Sequence, residues 1–213
     1  MNNDQKRYWQ SYYRTHRDPG ANTAFSQFCL DKFLSGCGSL LEIGCGNGRD
    51  AVFFAANGLD VTALDQIGEE IDYLNRTRAT DKLRFIEADI SEPLNVGSFD
   101  CIYMRFSLHS VSAGVQERFL GGLNGHLNEG GLYLVEARSV KDDMYSAGVQ
   151  ISKDENITDH YRRYIDKEEL ASTLKNLGHR IIYQTESRGL AKYGDEDPVV
   201  IRIASQKAQN CRA

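Results

Sequence analysis

The chain has 213 residues, of which 41% are hydrophobic and 26% charged, a composition typical of one soluble α/β domain. Its net charge of −5 argues against a nucleic-acid partner, because such proteins usually carry a basic face. No apolar run of about 18 residues and no signal peptide is evident, so we expect no membrane partner. The five cysteines form no Cys-x-x-Cys pair, which is typical of free thiols in a reducing cytoplasm. We therefore expect residues 1–213 to form a single cytoplasmic domain without a metal, as a monomer or homodimer that binds a small molecule.

The N-terminal segment carries aromatic residues at helical spacing. Tyr8 and Tyr12 share one face of a helix predicted over residues 4–17, and Trp9 and Tyr13 share another. A second helix is predicted over residues 22–35. Residues 1–35 either pack on the domain or form a lid over its site, and the pattern leaves both alternatives open.

The stretch from Ser39 to Asp65 is expected to be a strand, a glycine turn, a helix and a second strand. Gly44, Gly46 and Gly48 allow a tight turn and a close approach of the backbone to a ligand. The second strand ends in Asp65, and an acid at that position accepts hydrogen bonds from the two hydroxyls of a ribose. The stretch therefore predicts a nucleoside-binding half-site.

The details of this turn narrow the kind of nucleoside. A dinucleotide fingerprint would have a third glycine where Arg49 stands. Glu42, before the turn, would repel a pyrophosphate but suits a ligand that carries a cation. The segment Glu42–Gly48 resembles motif I of the class I S-adenosylmethionine (SAM) methyltransferases. An unrelated nucleotide bound by a doubly wound domain is the alternative.

This resemblance implies that SAM is the methyl donor and S-adenosylhomocysteine (SAH) the product. It also implies that the glycine turn faces the methionine part of SAM and that Asp65 holds the ribose. We assign to the donor site Glu42, Gly44, Cys45, Gly46, Asn47, Asp50, Asp65, Gln66, Asp89, Ile90 and Arg105.

The rest of the chain continues the alternation of strands and helices. Further strands are predicted at 83–88, 99–104, 132–137, 179–186 and 199–205. Further helices are predicted at 66–80, 113–127 and 167–177. The last two strands have no helix between them, which implies an antiparallel hairpin. We therefore expect a Rossmann-like three-layer sandwich whose sheet has seven mainly parallel strands. Residues 139–165 show no helical or strand periodicity in their apolar residues, and we interpret them as an insertion on the substrate side.

Methyl transfer requires close alignment of the acceptor and, for an amine or alcohol, a base whose pKa is near neutral. His109 follows the fourth strand, where ligands of parallel sheets bind. His160 is a second candidate base, and Tyr13 is a candidate phenol facing the substrate. For any single histidine the alternative is a structural hydrogen bond.

Several cations fall in segments expected around the pocket. Arginine matches phosphate or carboxylate with two parallel hydrogen bonds, so the acceptor is expected to be anionic. The residues assigned to it are Tyr12, Arg138, Tyr161, Arg162 and Arg163. Alternatively, these arginines pair with nearby acids on a solvated loop.

Beyond motif I, the chain resembles small bacterial methyltransferases of surface-polysaccharide loci. The matching segments are 105–109, 136–139, 158–163 and 197–202. This resemblance implies N- or O-methylation of a small capsule or lipopolysaccharide precursor, such as an amino-alcohol phosphate. A sugar O-methyltransferase and a non-catalytic SAM-binding regulator are the alternatives. Methylation of a metalloid or thiol would require accessible cysteines, whereas Cys101 lies inside a predicted strand.

Overall fold

The structure is a computed structural model that describes residues 3–209. Its α-helices are α1 (Asn3–Thr15), α2 (Ala24–Lys32), α3 (Arg49–Ala56), α4 (Gly68–Thr77), α5 (Ala113–Asn124) and α6 (Lys167–Asn176). Its strands are β1 (Ser39–Ile43), β2 (Asp60–Asp65), β3 (Leu83–Glu87), β4 (Phe99–Arg105), β5 (Leu127–Arg138), β6 (Val149–Gln150), β7 (Glu155–Ile157), β8 (Tyr161–Arg163), β9 (His179–Ser187) and β10 (Val200–Lys207).

The main sheet has seven strands in the order β3-β2-β1-β4-β5-β10-β9. The first five run parallel, and β10 pairs antiparallel with both β5 and β9. The predicted fold class is confirmed, including the antiparallel hairpin formed by the last two strands.

Helices cover both faces of this sheet, which gives the three layers. One apolar cluster joins the sheet to α5 and α6 through residues such as Phe119 and Leu174. The other joins it to α2, α3 and α4 through residues such as Phe25, Phe54 and Leu74. Strands buried on both faces explain why the β1 sequence reads as a continuous apolar run.

The segment predicted as an irregular insertion contains a small sheet of its own. Strands β6, β7 and β8 pair antiparallel in that order. These strands are only two or three residues long, so the sequence shows no alternation of apolar and polar residues that would predict them. Long-range contacts fix them instead. The buried Asn156 amide donates to the Met144 and Tyr145 carbonyls, and the Tyr164 hydroxyl donates to the Met144 carbonyl.

Helix α1 contacts both the main domain and this insertion. Arg14 forms an ion pair with Glu69 of α4 at 2.7 Å. The Tyr8 hydroxyl donates to Asp159 at 2.8 Å. The two segments predicted to surround the substrate therefore touch one another.

Two further observations concern the described part of the chain. None of the helices within residues 3–209 has the length and apolar character needed to cross a bilayer. Cys29, Cys37, Cys45 and Cys101 are free thiols, while Cys211 lies outside the described residues.

Candidate active site

A cavity of about 710 Å³ opens at the carboxyl ends of the parallel strands, where open α/β sheets bind their ligands. It is lined by the glycine turn, by α1 and the segment after it, by the residues that follow β4, and by the loop between β9 and β10. All residues that the sequence assigned to the donor line it: Glu42, Gly44, Cys45, Gly46, Asn47, Asp50, Asp65, Gln66, Asp89, Ile90 and Arg105.

The glycine turn requires glycine for two reasons. Gly44 has φ 73° and Gly46 has φ 55°, in the left-handed region that side chains disfavour. A Cβ added to Gly44 would also lie 2.9 Å from the Ser107 Cβ, and one on Gly46 would lie 3.0 Å from the Tyr13 hydroxyl oxygen. The backbone of the turn therefore packs directly against Ser107 and Tyr13.

Asp65 closes the turn from the end of β2. One carboxylate oxygen accepts from the Gly46 amide at 3.0 Å and the other from the Ile67 amide at 3.1 Å. Burial raises the pKa of Asp65, while these backbone hydrogen bonds oppose the rise. Each oxygen retains capacity for a further donor, so Asp65 can accept hydrogen bonds from ribose hydroxyls.

Glu42 is a buried carboxyl group, 4% exposed, and its Oε2 forms no hydrogen bond to the described residues. Burial raises the pKa of Glu42 well above its usual value, and the nearby Asp50 adds to this effect. A buried carboxyl oriented in this way fits a ligand that brings a positive charge. The donor set of the cavity is thus compatible with SAM.

Asp50 lines the cavity, but protein donors surround its carboxylate. It accepts from the Thr23 amide and hydroxyl, each at 2.8 Å, from the Ser26 hydroxyl at 2.9 Å, and from the Tyr103 hydroxyl at 2.8 Å. Through these hydrogen bonds Asp50, at the start of α3, connects that helix to the start of α2 and to strand β4.

Two histidines predicted as bases do not line the cavity. His109 is buried, and its Nε2 accepts from the Arg138 amide at 2.7 Å. Burial, and secondarily Arg138, holds the pKa of His109 well below its usual value. His160 lies against the rings of Tyr8 and Trp9, with centroid distances of 4.3 and 5.1 Å.

The aromatic residues of α1 do reach the cavity. Trp9, Tyr12 and Tyr13 line it, and the Tyr13 hydroxyl lies over Gly46. Burial, and secondarily the Asp65 carboxylate, raises the pKa of Tyr13 well above its usual value. Tyr13 therefore stays a protonated hydrogen-bond donor at neutral pH.

The predicted substrate arginines divide into two groups. Arg138 lines the cavity and pairs with Asp142 and Glu196. Arg162 pairs with Asp159, and Arg163 pairs with Asp154.

Arg162 and Arg163 do not line the cavity. Tyr161 does not line it either, and its hydroxyl donates to Glu155. The pairing with loop acids that the sequence left open as the alternative is therefore found at Arg162 and Arg163.

Arg105 lines the cavity within a buried charge network. Its Nε donates to Glu136 Oε1 at 2.9 Å, and its guanidinium lies over the Phe106 ring at 4.3 Å. The other oxygen of Glu136 accepts from the Arg202 Nε at 2.7 Å. Two guanidinium groups thus flank one carboxylate, and Arg105 and Glu136 of this network line the cavity.

Sequence reasoning missed His16. Its Nδ1 lies 2.8 Å from the Tyr12 carbonyl oxygen and 2.9 Å from the Thr15 hydroxyl oxygen, and the tautomer with the proton on Nδ1 can donate to that carbonyl. Its ring stacks on Tyr12 at 4.1 Å, and the Asn47 amide donates to its backbone carbonyl at 3.0 Å. His16 lines the cavity.

Sequence reasoning also missed the loop between β9 and β10. Leu190–Lys192, Tyr193, Glu196 and Pro198 line the cavity. The strand topology indicates where this loop lies, because Val200, the first residue of β10, pairs with Arg138 at the carboxyl end of β5. An antiparallel hairpin at that position must place its connection at the same edge of the sheet.

Among the described residues, no cluster of three or more His, Cys, Asp or Glu side chains is arranged to hold a metal.

Comparison with known proteins bears on the whole region around the glycine turn. The profile of a methyltransferase domain family matches residues 41–135. A probable S-adenosyl-L-methionine-dependent methyltransferase of Haemophilus influenzae, TehB, is 28% identical over 115 residues. That match takes in 53% of this chain and 40% of TehB, so the chain aligns with less than half of that relative.

Solved structures resemble the chain over most of its length. A SAM-dependent methyltransferase of Methanosarcina mazei has a TM-score of 0.73 at 19% identity, covering 85% of this chain and 97% of that one. One from Clostridium acetobutylicum has a TM-score of 0.70 at 17% identity, covering 97% and 100%. The 1,6-didemethyltoxoflavin-N1-methyltransferase of Burkholderia thailandensis, solved with SAH, has a TM-score of 0.70 at 20% identity, covering 96% and 87%.

The sheet order and these matches show a Rossmann-like fold, which is the fold of the SAM-dependent methyltransferases that the chain is similar to. Residues 41–135 match a methyltransferase domain family, and Glu42, the glycine turn and Asp65 form a site that SAM fits.

Proposed function

We propose that the chain transfers a methyl group from SAM to a nitrogen or oxygen atom of a small acceptor. The observation that carries this proposal is one cavity in which Glu42, the glycine turn and Asp65 lie together. When bound, SAM supplies an electrophilic methyl group on its sulfonium. The residues from Glu42 to Arg49, with Asp65, would hold it, and we call them the donor wall.

A second group of lining residues forms what we call the acceptor wall. It consists of Trp9, Tyr12, Tyr13, His16, Arg105, Phe106, Ser107, Ser110, Val111, Arg138 and the loop residues Leu190, Ala191, Lys192, Tyr193, Glu196 and Pro198. Trp9 and Tyr12 supply aromatic faces, while Arg105 and Arg138 supply positive charge. Such a wall favours a small acceptor that pairs an apolar or planar body with an anionic group.

An amino-alcohol phosphate meets this description and is the first acceptor to test. Its phosphate would face the arginines while its amine accepts the methyl group. A role in surface-polysaccharide decoration remains a prediction from the sequence resemblance. A sugar hydroxyl needs no arginine pair and is the second acceptor class to test.

We assign removal of the acceptor proton to His16. It is the histidine that lines the cavity, and its Nδ1–H is held by the Tyr12 carbonyl, which leaves Nε2 to accept a proton. Asn47 ties the His16 backbone to the glycine turn. Holding a base by its other ring nitrogen in this way fixes both tautomer and orientation.

The proposal is tested by a methyl-transfer screen with labelled SAM. Ethanolamine phosphate and its relatives are compared with uncharged amino alcohols and with nucleotide sugars, and products are detected by mass spectrometry. Transfer to the phosphorylated amines but not to their uncharged counterparts is expected. SAH binding with no transfer to any acceptor class would instead favour a regulatory SAM-binding protein.

The His16 assignment has its own test. His16→Gln should lower kcat about a hundredfold or more, because a general base contributes on that order, while SAH affinity changes little. His126→Gln is the control, since His126 contacts the Gly97 carbonyl and does not line the cavity. Equal turnover in wild type and His16→Gln would remove His16 as the base.

A further inference from the structure

Arg138 of the acceptor wall pairs with two carboxylates that differ in exposure. Its Nη1 donates to Asp142 Oδ1 at 3.2 Å, and its Nη2 donates to Glu196 Oε2 at 2.5 Å. The Arg138 side chain is 14% exposed, that of Asp142 is 2% exposed and that of Glu196 is 67% exposed. The same cation therefore has one buried partner and one solvated partner.

Asp142 is held by backbone amides as well as by Arg138. Its Oδ1 also accepts from the Met144 amide at 3.0 Å, and its Oδ2 accepts from the Val199 amide at 2.8 Å. An anion that displaced Asp142 from Arg138 would have to break these hydrogen bonds too. Asp142 therefore stays on one side of the guanidinium group when a ligand enters.

Glu196 belongs to the loop between β9 and β10, whose base is fixed. The Gly189 amide donates to the Asp197 carboxylate at 2.6 Å, and Arg202 donates to the Leu190 carbonyl at 2.8 Å. These contacts lie on the two sides of the segment 191–196, which we call the loop tip. The loop tip can therefore move while the base of the loop stays in place.

The loop tip is a tight turn that presents Glu196 to the cavity. Tyr193 and Glu196 pair through two backbone hydrogen bonds of 3.0 Å each, and Gly194 between them has a positive φ of 56°. The Tyr193 side chain is 68% exposed. The Glu196 carboxylate connects this exposed turn to Arg138, and an ion pair with a solvated partner contributes little to stability.

The chemistry of the pair favours exchange with a phosphate. A phosphate monoester carries about two negative charges at neutral pH and three acceptor oxygens, and a guanidinium group matches that geometry. A Glu196 carboxylate that leaves Arg138 enters water, which already reaches most of its side chain. The incoming anion therefore replaces Glu196 rather than the buried Asp142.

We propose that Glu196 is an exchangeable counter-ion whose place on Arg138 is taken by the anionic group of the acceptor. No covalent bond changes, because the anion accepts the hydrogen bond from Arg138 Nη2 and the Glu196 carboxylate passes into solvent. An acceptor without an anion leaves Glu196 paired, so Glu196 is a specificity-determining residue. This inference rests on the proposed function, because it presumes that an anionic acceptor enters the cavity.

The test uses inorganic phosphate as the probe and the SAH-loaded protein as the receptor. SAH is kept at saturation so that its own carboxylate is already bound, and sodium chloride keeps the ionic strength constant. Trp9 is the single tryptophan of the chain and lines the cavity, so its fluorescence follows the titration. Glu196→Gln should strengthen phosphate binding about twofold to fivefold, the range expected when a competing solvated ion pair is removed.

Asp195→Asn is the matched control. It removes the same charge from the adjacent residue, which is exposed and does not line the cavity. Phosphate affinity should stay nearly unchanged in this variant. Arg138→Lys keeps a cation beside Asp142 but loses the planar fork, so it should weaken phosphate binding and cancel the gain from Glu196→Gln.

Trypsin gives a readout of the loop tip itself. The Lys192 side chain is 68% exposed, but cleavage after it requires the turn to open locally. Phosphate should accelerate this cleavage in the wild type, and Glu196→Gln should be cleaved at the faster rate without phosphate. Mass spectrometry identifies the cleavage site, and thermal unfolding verifies that each variant is folded.

Three results would overturn the exchange: an unchanged or lower phosphate affinity in Glu196→Gln, equal gains in Glu196→Gln and Asp195→Asn, or no saturable phosphate binding to either the wild type or Glu196→Gln. Methyl transfer to uncharged acceptors alongside any of these results would leave the proposed function standing without the exchange. Absence of SAH binding would overturn the proposed function, and this inference with it.

Discussion

The donor wall comes from one short stretch of chain around the glycine turn, whereas the acceptor wall draws on segments spread from Trp9 to Pro198. The donor wall uses backbone amides and carboxylates carried by strand ends, as Asp65 and Gly46 do. The acceptor wall uses side chains held by other side chains, as Arg105 is held by Glu136.

This difference also concerns stability. Removing a group from the donor wall should mainly affect ligand binding, because the main-chain geometry of the turn persists. Removing a group from the acceptor wall should leave the buried side chains that pair with it without an ion-pair or hydrogen-bond partner. The predictions below test that contrast, beginning with the largest expected effect.

Glu136→Ala should lower the free energy of unfolding by about 3–5 kcal/mol, because it leaves Arg105 and Arg202 without their shared carboxylate. Chemical denaturation measures the change. Glu136→Gln keeps the shape and part of the hydrogen bonding, so its loss should be smaller. Equal stability of Glu136→Ala and the wild type would show that the network does not hold the acceptor wall.

Asp50→Ala should destabilise the fold by about 3 kcal/mol while changing SAH affinity little. The substitution removes the carboxylate that accepts from the buried hydroxyls of Thr23, Ser26 and Tyr103, and the Tyr103 hydroxyl loses its 2.8 Å hydrogen bond. Denaturation and SAH titration on the same preparation separate the two effects. A large loss of affinity in a variant of normal stability would return Asp50 to the donor site.

Asp65→Ala should weaken SAH binding by roughly 1–3 kcal/mol, the range for a lost hydrogen bond to a charged group. Stability should fall less than in Glu136→Ala, because the Gly46 and Ile67 amides can turn to water. Asp60→Ala, an exposed change at the other end of β2, is the control. Unchanged affinity in Asp65→Ala would mean that the nucleoside does not lie at the end of β2.

Substitution of His109 should change the free energy of unfolding least, and that change should depend on pH. The folded protein holds His109 neutral, because Nε2 accepts from the Arg138 amide and burial lowers the pKa. Unfolded chains take up a proton below about pH 6.5, so the contribution of His109 is fully present above that pH and declines below it. The stability difference between wild type and His109→Gln should shrink as the pH falls below 6.5. A pH-independent difference would contradict the neutral, buried state.

The donor wall could be predicted because its residues are contiguous and each position has one physical requirement. Gly44 needs positive φ, and Asp65 ends a buried strand. The sequence could not give the partners of Asn47 and Asp50, since Asn47 contacts His16 and Asp50 contacts Thr23. Both partners belong to segments whose position depends on tertiary packing.

The acceptor wall was predicted less well for a geometric reason. His109 was expected at the mouth of the pocket because it follows β4, but it lies in a short 3-10 turn at Leu108–Ser110, where its ring accepts from the Arg138 amide at the end of β5. Arg162 and Arg163 were expected to face the substrate, but a three-residue strand paired with β7 orients them toward Asp159 and Asp154. Periodicity cannot reveal such short elements, because tertiary contacts decide them.

The position of β10 has a consequence for synthesis and folding. In the sheet it separates β5 from β9, although it is the last of the strands along the described chain. Until Val200–Lys207 has left the ribosome, the β5 edge has no neighbour on that side, and open edges invite pairing with other chains. Closing this long-range pair is intrinsically slow. The nascent protein should therefore be most prone to aggregation just before its final strand appears.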